Sequence, residues 1–307
     1  MGRYNKPLFT TRKRRKVQAS PADMKRVGLI GFPISHSLSP AIQNAAFAFH
    51  GWPERYDLWE TEASRLEATV RGLRDGDCLG ANVTVPYKQA VIPWLDDMDA
   101  LAREADAVNT IVNVDGRLSG YNTDTVGFAK ALARAGFVVE GARAAVLGAG
   151  GAARAIGLVL VRGGAARIDL CDVVRERVEE LAAHLRTLSQ GKSEVQAHQP
   201  QDVPFRDAVA SCRLLVNCTP SGTHGTPLEH ESPVEVNLIP NDAFVFDLVY
   251  NPAVTPLIAA ARARGARAAG GLTMLVYQAA ESFRLWTGLD APVELMLFEA
   301  EKALNAS

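Results

Sequence analysis

A lysine that follows an apolar, β-branched stretch is the first residue of this sequence whose position suggests chemistry. The stretch GANVTVPYK predicts a buried strand over residues 80–85, with Asn82 and Thr84 on one face, and Lys88 comes after the proline that ends it. If the strand is parallel, Lys88 follows its carboxyl end, where open α/β sheets bind ligands. A lysine there can take part in proton transfer when an acidic group orients it; otherwise it is a solvated turn residue.

Asp124 is the candidate acidic partner of this lysine. It occurs in GYNTDTVGF, at the predicted start of a helix over residues 125–135. An aspartate at that position is commonly a helix N-cap. Paired with Lys88, it would instead hold the ammonium group beside a substrate hydroxyl. The residues alone leave both interpretations open.

Two serines form a second polar cluster. In GFPISHSLSP, Ser37 and Ser39 stand two residues apart, just before a proline that is typical of the first position of a helix. Ser39 could be an ordinary cap of that helix. Two neighbouring hydroxyls beside a helix N-terminus can also hold a carboxylate.

A glycine-rich turn predicts a dinucleotide site. Gly148, Gly150 and Gly151 follow a predicted strand, and Ala152 opens a predicted helix. Glycines in such a turn allow a tight bend and a close approach of the backbone to a pyrophosphate, which the helix N-terminus attracts. Asp172 ends the next predicted strand, where a carboxylate would bind ribose hydroxyls. The alternative is a packing turn with a solvated aspartate.

The elements that must position these side chains alternate between strands and helices. This alternation predicts an α/β fold whose first three strands form a parallel sheet, followed by a hairpin at Asp115-Gly116 and a second βα series. The predicted strands cover residues 27–31, 54–59, 80–85, 110–114, 118–121, 144–147, 167–171, 214–217 and 243–247. The predicted helices cover residues 40–50, 63–73, 125–135, 152–162, 272–286 and 293–304.

Composition narrows the class of protein. The chain has 307 residues, 48% of them hydrophobic, so two domains are expected. A formal net charge of −1 gives no electrostatic reason to expect nucleic acid or a membrane surface as partner, and the apolar runs are too short for a membrane span. The cysteines lack metal-ligand spacing, so we expect reduced core thiols, no metal and a cytoplasmic protein. They are Cys78, Cys171, Cys212 and Cys218.

Eight motifs occur in a fixed order between about residues 27 and 304: PISHSLSP, GANVTVPYK, AVNTIV, GYNTD, GAGGAAR, NCTPSG, DLVYNP and GGLTMLVYQAAESF. In these motifs the sequence resembles the shikimate dehydrogenases, including the quinate/shikimate dehydrogenases. The resemblance implies an N-terminal α/β substrate domain plus a Rossmann-type dinucleotide-binding domain, with the C-terminal helices returning to the first domain. The corresponding limits are residues 25–124 with 271–307, and residues 125–270. Residues 1–24 remain as a basic, flexible arm, with five cations at 12–16.

The resemblance also implies the reaction and the roles of individual residues. The reaction would be the reversible NAD(P)-dependent reduction of 3-dehydroshikimate to shikimate, in the biosynthesis of aromatic amino acids. Lys88 and Asp124 would be the catalytic pair, and Ser37 and Ser39 would hold the substrate carboxylate. The remaining substrate-binding residues would be Thr84, Asn109, Tyr250 and Gln278. The remaining cofactor-binding residues would be Asn217 and Thr219 in the NCTPSG loop and Gly271 and Met274 in GGLTM.

One departure from the family bears on the cofactor. Members that use NADP usually carry an Asn-Arg-Thr type sequence after the second strand of the dinucleotide domain, whereas this chain has Asp172 and Val173. A carboxylate accepts hydrogen bonds from ribose hydroxyls and repels a 2′-phosphate, so of NAD or NADP we expect NAD to be preferred. Arg175 is close enough in sequence to weaken this preference. Thr125 and Thr273 also replace glycines that are common in the family.

Several alternatives stay open at this level. A quinate dehydrogenase, or a dual enzyme that prefers NAD, is one alternative, and discrimination between quinate and shikimate would depend on packing around Ser37 and Ser39. An amino-sugar-acid relative of the family is a further option. A metabolite-binding regulatory module without turnover would be expected to have lost Lys88 and Asp124. The expected partner is a small-molecule substrate, and the expected assembly is a monomer or a homodimer.

Overall fold

The computed structural model describes residues 24–306, which contain two six-stranded sheets. The predicted basic arm therefore lies outside the described residues, except for its last residue. Within residues 24–306, no helix combines the length and apolar character needed to cross a membrane.

The first sheet is mixed. Its strand order is β2-β1-β3-β5-β6-β4, with β1 parallel to β2 and β3, and β5 antiparallel to both β3 and β6. The strands are β1 (Arg26–Gly31), β2 (Arg55–Glu60), β3 (Cys78–Val83), β4 (Asp97–Met98), β5 (Thr110–Val114) and β6 (Arg117–Tyr121). The predicted hairpin is confirmed, because Asp115 and Gly116 both have positive φ and connect β5 to β6 as a two-residue turn.

Helices cover this sheet, and the last two come from the end of the chain. They are α1 (Ser39–Phe49), α2 (Leu66–Gly72), α3 (Ala100–Ala105), α9 (Leu272–Thr287) and α10 (Val293–Leu304). One apolar core joins Leu29 of β1 and Phe47 of α1 to Phe283 of α9 and Met296 of α10. We call this sheet with its five helices the first lobe.

The second sheet is entirely parallel, in the order β12-β11-β10-β7-β8-β9. The order reverses between β7 and β10, which is the doubly wound arrangement of dinucleotide-binding folds. Its strands are β7 (Arg143–Leu147), β8 (Arg167–Cys171), β9 (Glu194–His198), β10 (Leu214–Asn217), β11 (Phe244–Asp247) and β12 (Arg267–Gly270). With α4 (Thr123–Arg134), α5 (Gly151–Arg162), α6 (Arg175–Ser189), α7 (Val203–Ala210) and α8 (Pro256–Ala263) it forms the second lobe.

The predicted fold class is confirmed, including the return of the C-terminal helices to the first lobe. Some elements differ from the expectation. The strands β9 and β12 were missed because both are sheet edges, where partly exposed positions carry polar or small residues and leave no apolar run. The strand predicted over 80–85 ends at Val83, so Thr84 lies beyond it. The domain limits stay a prediction.

The helices α4 and α9 connect the two lobes. Phe128 of α4 and Met274 of α9 both pack in the core of the second lobe with Phe246 of β11. The two helices cross closely at Gly127, where an added Cβ would lie 2.9 Å from the Cβ of Gln278. The crossing therefore brings the start of α4 and the first turns of α9 to the junction between the lobes.

Candidate active site

A cleft of about 530 Å³ lies between the lobes, and most of the predicted site residues line it. We call it the interlobe cleft. The predicted residues in its lining are Ser37, Ser39, Thr84, Lys88, Asn109, Asp124, Ala152, Thr219, Tyr250, Gly271, Met274 and Gln278. The first sheet and α9 thus bring together side chains that are far apart in the sequence.

Lys88 and Asp124 form an ion pair at this junction. The Lys88 Nζ lies 2.5 Å from Asp124 Oδ2, and the two side chains are only 12% and 8% exposed. The N-cap of α4 is Asn122, whose side-chain oxygen accepts a hydrogen bond from the Thr125 amide at 3.1 Å. Asp124 is therefore not the cap, and its carboxylate faces Lys88 from the first helical turn, where the helix dipole favours negative charge.

A shell of amides and hydroxyls fixes the carboxylate. Asn109 Nδ2 donates to Asp124 Oδ1 at 2.9 Å, and Asn109 Oδ1 accepts from the Thr123 amide at 2.7 Å. Gln278 Oε1 lies 3.3 Å from the same Asn109 nitrogen. Both oxygens of Asp124 are thus held, one by Lys88 and one by Asn109, so the pair has little rotational freedom.

Beneath this shell lies a buried polar floor that the sequence analysis did not identify. Asn82 Nδ2 donates to Ser282 Oγ at 3.0 Å and to Thr110 Oγ1 at 2.9 Å. Asn82 Oδ1 accepts a hydrogen bond from the Tyr56 hydroxyl at 2.8 Å. Ser282 also lies 3.1 Å from Thr123 Oγ1. A signal for it exists, because Gln278 and Ser282 are four residues apart and so share one face of the helix with the apolar Met274.

The serine pair lies at the start of α1. The two hydroxyl oxygens of Ser37 and Ser39 are 3.1 Å apart, and the Ser39 amide donates to Ser37 Oγ at 3.2 Å. The N-cap position of α1 belongs to Leu38, so Ser39 is the first residue of the helix rather than its cap. Two hydroxyls at this spacing can donate to the two oxygens of one carboxylate.

Tyr250 contributes a neutral hydroxyl to the cleft. Burial raises the pKa of Tyr250, and a hydrogen bond with the Leu38 backbone only partly offsets that effect. The phenol therefore stays protonated at neutral pH and can act as a hydrogen-bond donor.

The glycine turn lies at the second-lobe end of the cleft. Gly148 has a φ of +96°, which disfavours any side chain, and Gly150 is the N-cap of α5. Because Gly150 has no side chain, the first amides of α5 can be met by a phosphate. An added Cβ at Gly151 would lie 2.9 Å from the Cβ of Lys88, so the turn packs directly against the catalytic candidate.

Asp172 lies beside the glycine turn. Its Oδ2 accepts a hydrogen bond from the Ala149 amide at 2.7 Å, and its Oδ1 accepts from the Val174 amide at 2.9 Å. Arg175 is engaged elsewhere, with Gln199 Oε1 at 3.0 Å and Glu179 Oε1 at 3.5 Å.

Asn217 differs from the other predicted site residues because it lies in the interior. It has no exposed surface, and its Nδ2 donates to Asp247 Oδ1 at 2.9 Å while its Oδ1 accepts from the Thr219 amide at 3.0 Å. Burial raises the pKa of Asp247. The amide of Asn217 thus holds the loop that carries Thr219 into the cleft.

Within residues 24–306, no group of three or more His, Cys, Asp or Glu side chains is arranged to hold a metal ion.

Comparisons with known proteins agree with this geometry. Residues 29–111 match the shikimate dehydrogenase substrate binding domain, and residues 271–297 match the shikimate 5′-dehydrogenase C-terminal domain. The shikimate dehydrogenase (NADP(+)) of Symbiobacterium thermophilum is 43% identical over 299 residues, which cover 95% of this chain and 98% of that protein.

Solved structures give the same result. Shikimate 5-dehydrogenase from Thermus thermophilus, in complex with NADP(H) and shikimate, is 34% identical with a TM-score of 0.80, covering 91% of this chain and 100% of that chain. Quinate dehydrogenase from Corynebacterium glutamicum, in complex with NAD, is 29% identical with a TM-score of 0.82, covering 91% of this chain and 99% of that chain. With the identity to the Symbiobacterium protein over nearly the full length of both chains, these matches show that this chain belongs to the shikimate dehydrogenase family.

Proposed function

We propose that this protein is a shikimate dehydrogenase, an NAD(P)-dependent oxidoreductase that interconverts 3-dehydroshikimate and shikimate. The observation that carries the proposal is the buried ion pair of Lys88 and Asp124, 2.5 Å apart, in a cleft that also holds the serine pair and adjoins the glycine turn. The names of the relatives support the same reaction.

The residues where the cleft meets the second lobe fit a nicotinamide dinucleotide. Gly148, Gly150 and Gly151 leave the N-terminus of α5 open to a pyrophosphate, and Met274 and Thr219 line the same cleft as Lys88. When bound, the cofactor supplies or accepts the hydride. The residues around Asn217 would hold the Thr219 loop in place beside it.

Proton transfer is the task of Lys88. During reduction of the ketone, the Lys88 ammonium donates a proton to the carbonyl oxygen as negative charge develops there; during oxidation, the neutral amine takes the proton from the hydroxyl. Asp124 keeps the ammonium at that place, and Asn109 keeps Asp124 from rotating.

The first lobe would hold the substrate ring. The hydroxyls of Ser37 and Ser39 would donate to the carboxylate beside the start of α1. The ring hydroxyls would meet a set of polar groups around Lys88: Thr84, Asn109, Tyr250 and Gln278.

Quinate is a second candidate substrate. The match to the quinate dehydrogenase, which was solved with NAD, favours it. Quinate carries a tertiary hydroxyl on the carbon that bears the carboxylate, so the space around Ser37 and Ser39 would decide between the two substrates. Initial rates of the purified protein with shikimate or quinate, each with NAD⁺ or NADP⁺, test both proposals. Absence of turnover in all four mixtures would contradict them and favour a metabolite-binding module.

We also propose that NAD is preferred over NADP, because the Asp172 carboxylate would bind ribose hydroxyls and repel a 2′-phosphate. The substitution Asp172→Asn should raise the ratio of kcat/KM for NADP⁺ to that for NAD⁺ by at least about tenfold, or about 1.4 kcal/mol. Asp207→Asn, at an exposed aspartate of α7, makes the same change in net charge and should leave the ratio unchanged. A wild-type enzyme that prefers NADP⁺ would contradict the assignment.

A cytoplasmic enzyme, acting as a monomer or a homodimer, completes the proposal. The four free cysteines, as expected in a reducing compartment, support the cytoplasmic location. Cell fractionation and light scattering of the purified protein would test the two points separately.

A further inference from the structure

Arg154 is a buried cation that none of the roles above uses. It lies in the first turn of α5, three residues after Gly151, and its side chain is only 2% exposed. Its guanidinium Nη1 lies 3.0 Å from Asp106 Oδ2, and its Nη2 lies 2.5 Å from Glu180 Oε1. Its Nε is buried and has no hydrogen-bond partner among the described residues. A charge so placed is stable only while its carboxylate partners hold it.

The two carboxylates belong to different lobes. Glu180 is on α6, so its bond to Arg154 stays within the second lobe. Asp106 directly follows α3, so its bond to Arg154 crosses from the first lobe to the second. A second ion pair between the lobes lies nearby, where Arg162 of α5 donates to both carboxylate oxygens of Glu104 at 2.9 and 2.6 Å.

The ion pair of Arg154 and Asp106 also lies near Lys88. Asp106 Oδ2 accepts a second hydrogen bond, at 3.1 Å, from Gln89, the residue after Lys88. The backbone oxygen of Lys88 accepts from the Val108 amide at 2.7 Å. One carboxylate oxygen therefore connects the segment that carries Lys88 to the helix whose N-terminus forms the glycine turn.

We propose that Arg154 and Asp106 form an interlobe clamp, in which Arg154 is a positioning residue that sets the distance between Lys88 and the cofactor turn. This inference rests on the proposed function. Substrate would be held by the first lobe and cofactor by the second. Hydride transfer therefore requires a fixed position of one lobe relative to the other, whereas the binding of either ligand alone depends much less on that position. A misplacement of 1 Å can slow a reaction by about 10²-fold.

The test compares the two carboxylates that Arg154 binds. Asp106→Asn removes the charge of the interlobe partner but keeps its size, and asparagine tolerates the left-handed conformation of this residue, whose φ is +48°. Glu180→Gln makes the matched change within the second lobe. For Asp106→Asn we expect kcat to fall by at least about tenfold. The dissociation constant of the cofactor and the KM of the substrate should stay as in wild type, and the thermal midpoint should fall by a similar amount in both variants, because each removes one charged partner of the buried Arg154.

A kinetic signature distinguishes misplacement from damage to the fold. In Asp106→Asn, the deuterium isotope effect on kcat, measured with deuterium at the carbon that loses the hydride, should rise toward its intrinsic value because hydride transfer becomes slower. Glu180→Gln should match wild type in both kcat and isotope effect. Equal effects of the two variants on kcat, or a loss of cofactor binding in Asp106→Asn at unchanged kcat, would overturn the clamp.

Hydrogen exchange keeps the test independent of turnover. Amides of residues 88–91 and 100–108 should exchange faster in Asp106→Asn than in Glu180→Gln, and equal exchange would overturn the clamp. Wild-type protein without turnover on either substrate would instead contradict the proposed function, so the two failures can be told apart.

Discussion

At the scale of single residues, the role of each polar group in the cleft depends on which neighbour satisfies it. Asn122 caps α4, which leaves the Asp124 carboxylate for Lys88 and Asn109. Asn217 shows the opposite case, because Asp247 and the Thr219 amide use its amide fully inside the fold. Chemically similar side chains thus either line the cleft or hold the backbone around it in place.

Replacement of Lys88 tests the central assignment. Lys88→Met keeps most of the side-chain volume but removes the proton donor, so kcat should fall by about 10²- to 10⁴-fold while the dissociation constant of the cofactor changes little. Lys130→Met, at an exposed lysine on the same helix as Asp124, is the control and should retain wild-type kcat. Turnover that survives Lys88→Met would exclude Lys88 as the acid and base.

At the scale of elements, the close crossing of α4 and α9 assembles the site. Asp124 and Thr123 come from the first turn of α4, and Met274, Gln278 and Ser282 come from one face of α9. Gly127 makes the crossing possible, since an added Cβ would lie 2.9 Å from both the Met274 carbonyl oxygen and the Gln278 Cβ. These atoms belong to backbone or to the base of a side chain, so they cannot move without shifting α9.

Gly127→Ala should therefore destabilise the protein, although alanine favours a helix by about 1 kcal/mol over glycine. Overpacking of this kind typically costs about 1–3 kcal/mol of unfolding free energy. Gly72→Ala, at an exposed helical glycine with no atom near the new Cβ, should instead be neutral or stabilising by up to about 1 kcal/mol. Denaturant unfolding of both variants measures this, and a stabilised Gly127→Ala would show that the crossing is looser than described.

At the scale of the whole molecule, the two lobes have separate cores and carry different parts of the site. The first lobe carries the serine pair, Lys88 and Asn109, and the second carries the glycine turn and Asp172. Arg154 with Asp106, together with the α4 and α9 crossing, joins them. No disulfide contributes, because all four cysteines are free.

The thiols should report on the integrity of both lobes. Burial raises the pKa of Cys171 and of Cys212 to about 12, and it also raises the pKa of Cys78 and Cys218. At pH 8, a thiol with a pKa of about 12 is ionised to only about one part in 10⁴, and the thiolate is the reactive form. A thiol reagent at pH 8 should therefore modify the native protein slowly.

In concentrated guanidinium chloride, the same reagent should quickly count all four thiols. Reductant should leave the thermal midpoint unchanged. A native cysteine that reacts as fast as in the denatured protein, or a midpoint that falls with reductant, would contradict the described burial.

The sequence by itself determined the local features of this protein. The strand and helix periods, the hairpin at Asp115-Gly116 and the glycine turn before α5 depend on residues close together in the chain, so short patterns predict them. The edge strands β9 and β12 escaped prediction because their exposed side leaves no apolar pattern. The order of eight motifs was sufficient to identify the family.

Only the tertiary structure decided which polar groups meet. Lys88 and Asp124 are 36 residues apart, and their contact depends on how α4 packs between α9 and the second sheet, which no local pattern encodes. The same holds for the buried floor of Asn82 and Ser282, which are 200 residues apart, and for Arg154, whose burial depends on the approach of the two lobes. Short-range sequence fixes backbone conformation, whereas packing of distant elements fixes the distances that chemistry requires.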